Sequence, residues 1–226
     1  MDRKLYAQIL ILLLIPTLPQ KTEAMATLYV DPPTTITSID DTFSINITVS
    51  DVTDLGGWEF KLYYLSSKLN GTNIIEGPFL KQGGYTYFAI VNFIDTYNST
   101  HGIAWVTCTL LGTDPGVNGN GTLATITFKA KQLGTSSLSL TDTWLSDSQP
   151  ISHKTLNGLV VVTWLGDFDV DFDVDEDDLW YFCARFIDYY KIHVKDPLCD
   201  FDKDGDIDEN DLWTFCGAFI DYWKVH

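Results

Sequence analysis

The sequence has few positively charged residues and few cysteines, and each shortage excludes a class of protein. Only 14 of its 226 residues are Lys or Arg, against 31 Asp or Glu, which gives a formal net charge of −17. Binding to nucleic acid or to an anionic lipid surface needs positive charge facing phosphate groups, so we expect neither. The four cysteines form no C-x-x-C pair, which argues against a zinc site.

A recognisable catalytic set is also missing. The sequence contains no G-x-S-x-G, no H-E-x-x-H and no phosphate-binding loop, and its four histidines lack metal-ligand spacing. A glycosidase acid pair would have to come from Glu59, Glu76, Asp95 and Asp147, but scattered carboxylates on a small β domain are usually surface residues. We therefore expect a non-catalytic protein.

Long apolar runs are missing except at the N-terminus. Arg3 and Lys4 precede an almost wholly apolar stretch at residues 7–18, and Ala24-Met25-Ala26 matches the small-x-small cleavage pattern. The stretch is shorter than the roughly 20 residues that span a bilayer. The sequence predicts a signal peptide at residues 1–26, a secreted or cell-surface protein, and no membrane span after cleavage. An uncleaved anchor is the alternative.

Two further features agree with export. Four N-x-S/T triplets provide glycosylation candidates, at Asn46, Asn70, Asn98 and Asn120. Three cysteines lie in the C-terminal quarter and are disulfide candidates: Cys183, Cys199 and Cys216. In an exported chain they can form one disulfide, whose pairing the sequence leaves open. Cys108 falls within a strand pattern, where we expect a buried small apolar residue.

The region 27–163 shows the period of two that is typical of strands. Apolar and polar residues alternate at 43–50, 58–64 and 124–130. Further strands are predicted at 28–30, 85–93, 103–111, 137–140 and 159–163. Gly and Asn turn signals separate these strands, and no long helical pattern interrupts them. The region therefore predicts a two-sheet β-sandwich.

Several segments of this region resemble cohesin domains. Residues 52–64, with Leu55-Gly56-Gly57-Trp58, resemble their early strands, as does Gly77-Pro78-Phe79-Leu80 followed by Gly83-Gly84. Residues 116–130 resemble their Gly-rich turn and long strand, and 145–147 and 158–162 resemble the closing strands. The chain departs at Leu65-Ser66, where cohesins often have Asp-Pro. The resemblance covers 28–163 and implies a nine-stranded jelly-roll sandwich that binds dockerin domains in extracellular polysaccharide-degrading complexes.

The acidity is concentrated in residues 164–226, which hold 18 acidic and 5 basic residues, a net charge of −13. Residues 166–193 and 199–226 are identical at 18 of 28 aligned positions, which indicates duplication. Each copy contains a 12-residue frame with carboxylates at positions 1, 3, 5, 7, 9 and 12, the spacing of a calcium loop. The first frame is Asp167, Asp169, Asp171, Asp173, Asp175 and Asp178. The second is Asp200, Asp202, Asp204, Asp206, Asp208 and Asp211.

These frames predict two Ca²⁺ sites. A plain solvated acidic run would explain the charge, but not two frames that each end in Asp-Leu-Trp. Position 6, where a calcium loop turns sharply, is Gly205 in the second copy and Phe172 in the first. A Phe forced towards positive φ costs about 1–2 kcal/mol, so the second site is the better defined. At position 8, Ile207 can join a short strand pairing between the loops.

A helix should follow each loop. Apolar residues recur at helical spacing in both copies, at Leu179, Phe182, Cys183, Phe186 and Tyr190 and at Leu212, Phe215, Cys216, Phe219 and Trp223. Four aromatic residues lie off these stripes: Trp180, Tyr189, Trp213 and Tyr222. They are either contacts for a partner or packing against the neighbouring β domain.

Two such loops, each followed by a helix, resemble type I-like dockerin domains over residues 166–226. Dockerins often have Ser or Thr at loop positions 10 and 11. This chain has Glu176-Asp177 and Glu209-Asn210, so no known partner specificity is carried over. The fold class predicted for the whole chain is mainly β, a cohesin-like jelly-roll sandwich at 27–163 with a small α-helical, dockerin-like calcium module at 164–226.

These observations predict a secreted, non-catalytic adaptor for calcium-dependent protein–protein assembly, in a polysaccharide-degrading or cell-surface complex. Its expected partners are dockerin- or cohesin-bearing proteins, and head-to-tail self-association is open to a chain that carries both modules. The alternative is a carbohydrate-binding module with a calcium-stabilised tail. Its candidates for stacking on sugar rings in a polysaccharide are Tyr63, Tyr85, Tyr87 and Trp144.

Overall fold

The computed structural model describes residues 25–112 and 115–225, in which eleven strands precede two α-helices. The strands are β1 Ala26–Asp31, β2 Thr34–Ser38, β3 Thr42–Leu55, β4 Gly57–Leu65, β5 Leu69–Glu76, β6 Tyr85–Ile94, β7 His101–Leu111, β8 Val117–Ala130, β9 Gly134–Ser146, β10 His153–Leu156 and β11 Gly158–Thr163. The helices are α1, Glu176–Ile192, and α2, Glu209–Val225. The predicted signal peptide lies almost entirely outside the described residues, and β1 begins at Ala26.

The strands form two sheets that share one core. One sheet has the order β10-β1-β3-β8-β5, and the other has the order β2-β11-β9-β4-β7-β6. Neighbouring strands are antiparallel except for the β1–β10 and β2–β11 pairs, which are parallel. The predicted two-sheet sandwich is therefore confirmed.

Alternating side chains explain the core of the sandwich. On β4, the even-numbered residues from Trp58 to Tyr64 are buried, while the odd-numbered ones between them are only partly covered. Across the core, the ring of Tyr64 packs edge-on against that of Phe128 on β8, with centroids 4.9 Å apart. The buried Tyr64 hydroxyl donates a hydrogen bond to Asp95 Oδ1 at 2.6 Å, which satisfies its polar end.

Three strands were not predicted from the sequence: β2, β5 and β10. Each lies at an edge of its sheet. An edge strand pairs on one side only and buries fewer side chains, so its sequence alternates less clearly. The burial along β2 shows this, since none of its five residues is fully buried.

The C-terminal module has a core of its own. It is formed by five buried residues from the two loops and the two helices, Val174, Phe182, Cys199, Ile207 and Phe215. Both predicted helices are confirmed, and each begins near the end of its acidic frame. Among the described residues, no helix is long and apolar enough to cross a membrane.

Candidate functional sites on the sandwich and in the aspartate loops

The outer surface of the six-stranded sheet carries polar and aromatic side chains from β9, β4, β7 and β6. On β4, Glu59, Lys61 and Tyr63 point outward because the residues between them are buried. Their neighbours on β7 and β9 continue the same surface, since Lys61 pairs with Trp105 and Glu59 pairs with Trp144.

Four side chains form a linked group in the middle of this surface. Trp105 Nε1 donates to Glu59 Oε1 at 2.7 Å, and Lys61 Nζ lies 4.5 Å from the centroid of the Trp105 ring. Lys61 also donates to Asp142 Oδ2 at 2.8 Å, and this hydrogen bond raises the pKa of Lys61. A β-bulge in β9 places Asp142, at φ 44°, where it meets the lysine. The centre of the surface is therefore ordered.

Exposed aromatic rings lie at the two ends of this surface. Tyr85 and Tyr87, on the edge strand β6, are 87% and 62% exposed, and Trp144 on β9 is 52% exposed. Tyr63 is partly covered by Tyr97, whose ring lies 5.6 Å away. Exposed Tyr and Trp are the residues that most often anchor interfaces. We call this surface the sheet face, formed by Glu59, Lys61, Tyr63, Tyr85, Tyr87, Trp105 and Trp144.

The first aspartate loop closes on the helix that follows it. The two carboxylate oxygens of Asp178 accept hydrogen bonds from the backbone N–H groups of Phe168, at 2.6 Å, and Asp175, at 3.0 Å. Asp175 in turn accepts from the N–H of Asp177 at 2.8 Å, which makes a reciprocal capping box at the start of α1. The same aspartates therefore cap the helix and close the loop.

The second loop repeats this arrangement. Asp211 accepts from the N–H groups of Phe201, at 2.6 Å, and Asp208, at 2.9 Å. Asp208 accepts from the N–H of Asn210 at 2.7 Å. Asp178 and Asp211 are both buried, so position 12 is the centre of each loop.

The backbone of the two loops turns at the same positions. At position 4, Val170 and Lys203 have φ of 65° and 61°. At position 6, Phe172 and Gly205 have φ of 77° and 94°. The positive φ predicted for Phe172 is confirmed, and this conformation is strained for a residue with a side chain.

The structure brings the acidic frames together as four groups of three carboxylates, whose oxygens lie within 4.8 Å of one another. In the first loop they are Asp167, Asp169 and Asp178, and Asp173, Asp175 and Asp178. In the second they are Asp200, Asp202 and Asp211, and Asp206, Asp208 and Asp211. The position-5 residues, Asp171 and Asp204, lie outside these groups, and each accepts a backbone N–H of its own loop at 3.1 Å.

The loops contain buried acceptors that lack donors. Asp173 Oδ1, Asp200 Oδ1 and Asp206 Oδ1 are buried and have no hydrogen-bond partner. Burial and the charges of neighbouring aspartates raise the pKa of Asp173 and of Asp206, which shows that the ionised carboxylates are destabilised as they stand. A hard cation that prefers oxygen ligands would satisfy these atoms, so the donor set fits Ca²⁺.

The core of the C-terminal module contains only some of the residues on the apolar stripes of its two helices. Phe182 and Phe215, at the same position of the two copies, stack with centroids 4.7 Å apart and planes 7° apart. By contrast, Leu179, Tyr190 and Trp223 lie on the apolar stripes of the two helices, yet they are exposed. Two helices share one contact line, so residues one turn from it remain in solvent.

The position-8 residues are buried in this core, but they form no strand. Val174 and Ile207 are both fully buried, and neither belongs to a strand. The predicted pairing of short strands between the loops is therefore wrong, and these residues serve as core contacts.

The four aromatic residues off the predicted stripes divide into two pairs of repeat mates. Trp180 and Trp213 are each 73% exposed, in the first turns of α1 and α2. Tyr189 and Tyr222 are partly buried and pack against the core of the module. The two tryptophans are therefore the matched exposed pair of the module.

All four cysteines are free thiols in the structure. The three disulfide candidates Cys183, Cys199 and Cys216 are therefore unbonded in the structure, with Cys199 inside the core of the module and the other two on the helices. Cys108 is buried in β7, as predicted, and burial together with Glu76 raises its pKa to about 12.

The glycosylation candidates differ in accessibility. Asn98, in the connection between β6 and β7, and Asn120, on β8, are exposed, whereas Asn46 and Asn70 are partly buried on β3 and β5. Asn46 also accepts a hydrogen bond from Thr125 at 2.7 Å. Asn98 and Asn120 are therefore the more accessible acceptors, and glycosylation of all four stays a prediction.

The carboxylates considered for catalysis have separate structural roles. Glu59 bonds to Trp105, Glu76 accepts from Thr86 at 2.6 Å, and Asp95 accepts from Tyr64. Asp147 accepts a backbone N–H of its own turn. Each of these four carboxylates therefore accepts a hydrogen bond from the surrounding fold.

The two-sheet sandwich and its ordered, aromatic sheet face define a β-sandwich module of the kind that docks other molecules. The model of the cohesin domain family matches residues 29–162 of this chain. The chain therefore belongs to the cohesin family. The match excludes the C-terminal module, and a comparison with curated proteins finds no match.

Solved structures share the fold of the sandwich. A complex of CaDoc0917 with CaCohA2, the latter from Clostridium acetobutylicum, is 20% identical with a TM-score of 0.50, and the match covers 62% of this chain and 100% of that chain. A non-cellulosomal cohesin from Archaeoglobus fulgidus is 14% identical, with a TM-score of 0.50 and coverage of 62% and 92%. The Coh-OlpC–Doc435 complex from Clostridium thermocellum is 15% identical, with a TM-score of 0.50 and coverage of 63% and 96%.

Family membership defines the coarse function. Cohesin domains are non-catalytic modules of protein–protein assembly, and they bind partners that carry dockerins. The expectation of a cohesin sandwich is thus confirmed. Four features stay predictions: the dockerin-like identity of the C-terminal module, its calcium binding, the secretion of the protein, and its place in a polysaccharide-degrading complex.

Proposed function

We propose that this protein is a secreted or cell-surface adaptor that joins two partners through its two modules. The cohesin sandwich takes a dockerin-bearing protein, and the calcium-loaded C-terminal module takes a cohesin-bearing protein. The observation that carries the proposal is the presence, in one chain, of a cohesin sandwich and two matched aspartate loops. One chain then has a docking surface at each end.

We assign partner binding on the sandwich to the sheet face. Its ordered centre of Glu59, Trp105 and Lys61 loses little conformational entropy on binding. The exposed rings of Tyr85, Tyr87 and Trp144 supply apolar area at its ends. This combination of rigid polar groups and aromatic anchors is typical of interface hot spots.

We assign the second docking surface to the exposed faces of the two helices. Trp180 and Ile187 on α1 and their repeat mates Trp213 and Ile220 on α2 are all exposed. They lie seven residues apart on each helix, which places them on one face. Calcium would hold the loops that start these helices and so present the faces to a partner.

The two modules could also bind each other in different copies of the chain, which would give head-to-tail self-association. Residues 27–163 carry 11 acidic and 6 basic residues, a net charge of −5, and the module carries −13. Like charges oppose contact between copies, and calcium reduces the charge of the module. Self-association should therefore require calcium and strengthen with salt.

Carbohydrate binding is the alternative function, and one observation favours it. Tyr85 and Tyr87 lie two residues apart on an edge strand, so both rings point from the same side of β6 into solvent. Aromatic rings in such a position can stack on sugars of a polysaccharide. Binding of the full chain to insoluble polysaccharide in the presence of chelator would favour this function, because the sandwich itself contains no aspartate loop.

The proposed function is tested by surface plasmon resonance with the full chain. Immobilised dockerin modules and immobilised cohesin modules are presented in calcium and in EGTA. If the protein is an adaptor, it should bind at least one immobilised dockerin and at least one immobilised cohesin. Its binding to cohesins should be lost in EGTA. Absence of binding to both kinds of module, together with retention on polysaccharide, would favour the alternative.

A further inference from the structure

The connection between the sandwich and the C-terminal module is very short. Strand β11 ends at Thr163 and the first aspartate loop begins at Asp167, so only Trp164, Leu165 and Gly166 lie between them. In the described residues, the backbone of neither helix runs close alongside a strand of the sandwich. The orientation of the module therefore depends on this connection.

The two bodies are separated elsewhere by an open cavity of about 350 Å³. Its lining includes Ser38 and Phe43 from the sandwich and Phe168 and Phe201 from the module. The hydrogen bond and the ring contact that join the two bodies both lie at the connection.

One of these contacts reaches a predicted cation ligand. The Thr163 hydroxyl donates to Asp167 Oδ2, and both residues are buried. The backbone of Thr163 is fixed in the sheet, since its carbonyl accepts from Ile39 N at 3.1 Å. The carboxylate of Asp167 also accepts from the N–H groups of Val170 and Phe172, at 2.7 and 3.0 Å. A single carboxylate thus links the last strand of the sandwich to the turn of the first loop.

A second contact joins the connection to the module through aromatic rings. The ring of Trp164 packs edge-on against Tyr222 of α2, with centroids 5.9 Å apart. Gly166, at φ 92°, passes close to the ring of Phe215. Trp164 and Gly166 of this short path therefore both contact the second helix of the module.

Within residues 25–112 and 115–225, the structure gives no hydrogen bond between the second loop and the sandwich. Cys199 precedes Asp200, and the hydrogen bond that the structure gives the Asp200 carboxylate comes from Gly205 of the same loop, at 3.1 Å. Its other oxygen, Oδ1, is buried without a hydrogen-bond partner. The two loops have the same spacing of aspartates, but they differ in their attachment to the sandwich.

We propose that the first aspartate loop, with its cation bound, is the joint that fixes the C-terminal module in one orientation on the sandwich, while the second loop stabilises the module alone. The inference rests on the calcium binding proposed above. Without a cation the carboxylates of the first loop repel one another, and Asp167 loses its fixed position. The bond to Thr163 then no longer defines an orientation.

The test is the measurement of residual dipolar couplings on the isotope-labelled full chain, with calcium binding followed by calorimetry. In calcium, a single alignment tensor should fit both bodies, and in EGTA it should not. Thr163→Val keeps the shape of the side chain and removes its hydroxyl. This variant should need two tensors while it still binds two calcium ions.

Matched loop variants separate the roles of the two loops. Asp169→Asn and Asp202→Asn change the exposed position-3 residue of the first and second loop. Only Asp169→Asn should decouple the bodies. If Thr163→Val and Asp169→Asn both keep a single tensor in calcium, the joint is refuted even though calcium binds. If calorimetry detects no calcium binding by the wild-type chain, the proposed calcium sites fail as well.

Discussion

Phe172 and Gly205 occupy the same position of the two aspartate loops, and both have positive φ, 77° and 94°. Only the glycine adopts this conformation without strain. The first loop therefore folds in the same way as the second at an additional cost of about 1–2 kcal/mol. The two loops should differ in calcium affinity for this reason.

Exchange of these residues tests the difference. Phe172→Gly should tighten calcium binding by the first loop by about fivefold, because it removes roughly 1 kcal/mol of backbone strain. Gly205→Ala should weaken the second loop by a similar factor. A Cβ at Gly205 has room, with Lys195 Nζ 3.7 Å away, so only the backbone is perturbed. Calorimetric titration of both variants gives the two affinities, and equal affinities in all three proteins would contradict the explanation.

The core of the module depends on the stacked pair of Phe182 and Phe215. Phe182→Ala should destabilise the module by about 3–5 kcal/mol, which is enough to unfold a small domain. Trp180→Ala, on the exposed side of the same helix, serves as control and should change stability by no more than about 0.5 kcal/mol. Chemical denaturation followed by circular dichroism measures both. A similar loss in the two variants would show that Trp180 is also part of the core.

Cysteine reactivity should follow burial. Burial, and after it Glu76 for Cys108 and Asp196 for Cys199, raise the pKa of both thiols to about 12. At pH 8 only about one in ten thousand of these thiols is ionised, and the thiolate is the species that reacts. Alkylation of the folded chain should therefore modify Cys183 and Cys216 first, as mass spectrometry of the peptides would show. Rapid modification of Cys108 would mean that β7 opens readily.

The sheet face should contain the anchors for a dockerin-bearing partner. Tyr87→Ala should weaken binding by about 30-fold, the effect of a hot-spot residue worth about 2 kcal/mol. Leu156→Ala removes an exposed apolar side chain from β10 in the other sheet and should leave binding unchanged. Surface plasmon resonance with one dockerin module compares the two variants. Equal affinities would place the interface elsewhere.

The sequence predicted the parts of the structure that have a clear period. The alternation on β3, β4 and β8 identified central strands, and the 33-residue repeat identified both loops and both helices. The strands β2, β5 and β10 escaped prediction because edge strands are only partly buried. The aspartate frames predicted the turn at position 6 correctly, whereas the burial of the position-12 carboxylates emerged only from the structure.

Other features depend on tertiary contacts that no local pattern reveals. The exposure of Leu179 and Tyr190 follows from the narrow contact between two helices. The hydrogen bond from Thr163 to Asp167 crosses the domain boundary predicted between residues 163 and 164, so nothing in the sequence pointed to it. The sheet face combines residues from four strands. The sequence identified only its candidate sugar-binding aromatics, Tyr63, Tyr85, Tyr87 and Trp144.

The most direct test of the account is calcium titration of the full chain, followed by calorimetry and by thermal unfolding in EGTA. If both loops bind calcium, we expect two bound calcium ions, loss of the helical circular-dichroism signal in EGTA, and an unchanged melting transition of the sandwich. The double variant Asp178→Asn with Asp211→Asn, at the two buried position-12 residues, should reproduce the effect of EGTA. Absence of calcium binding, with an identical spectrum and melting profile in EGTA, would contradict it.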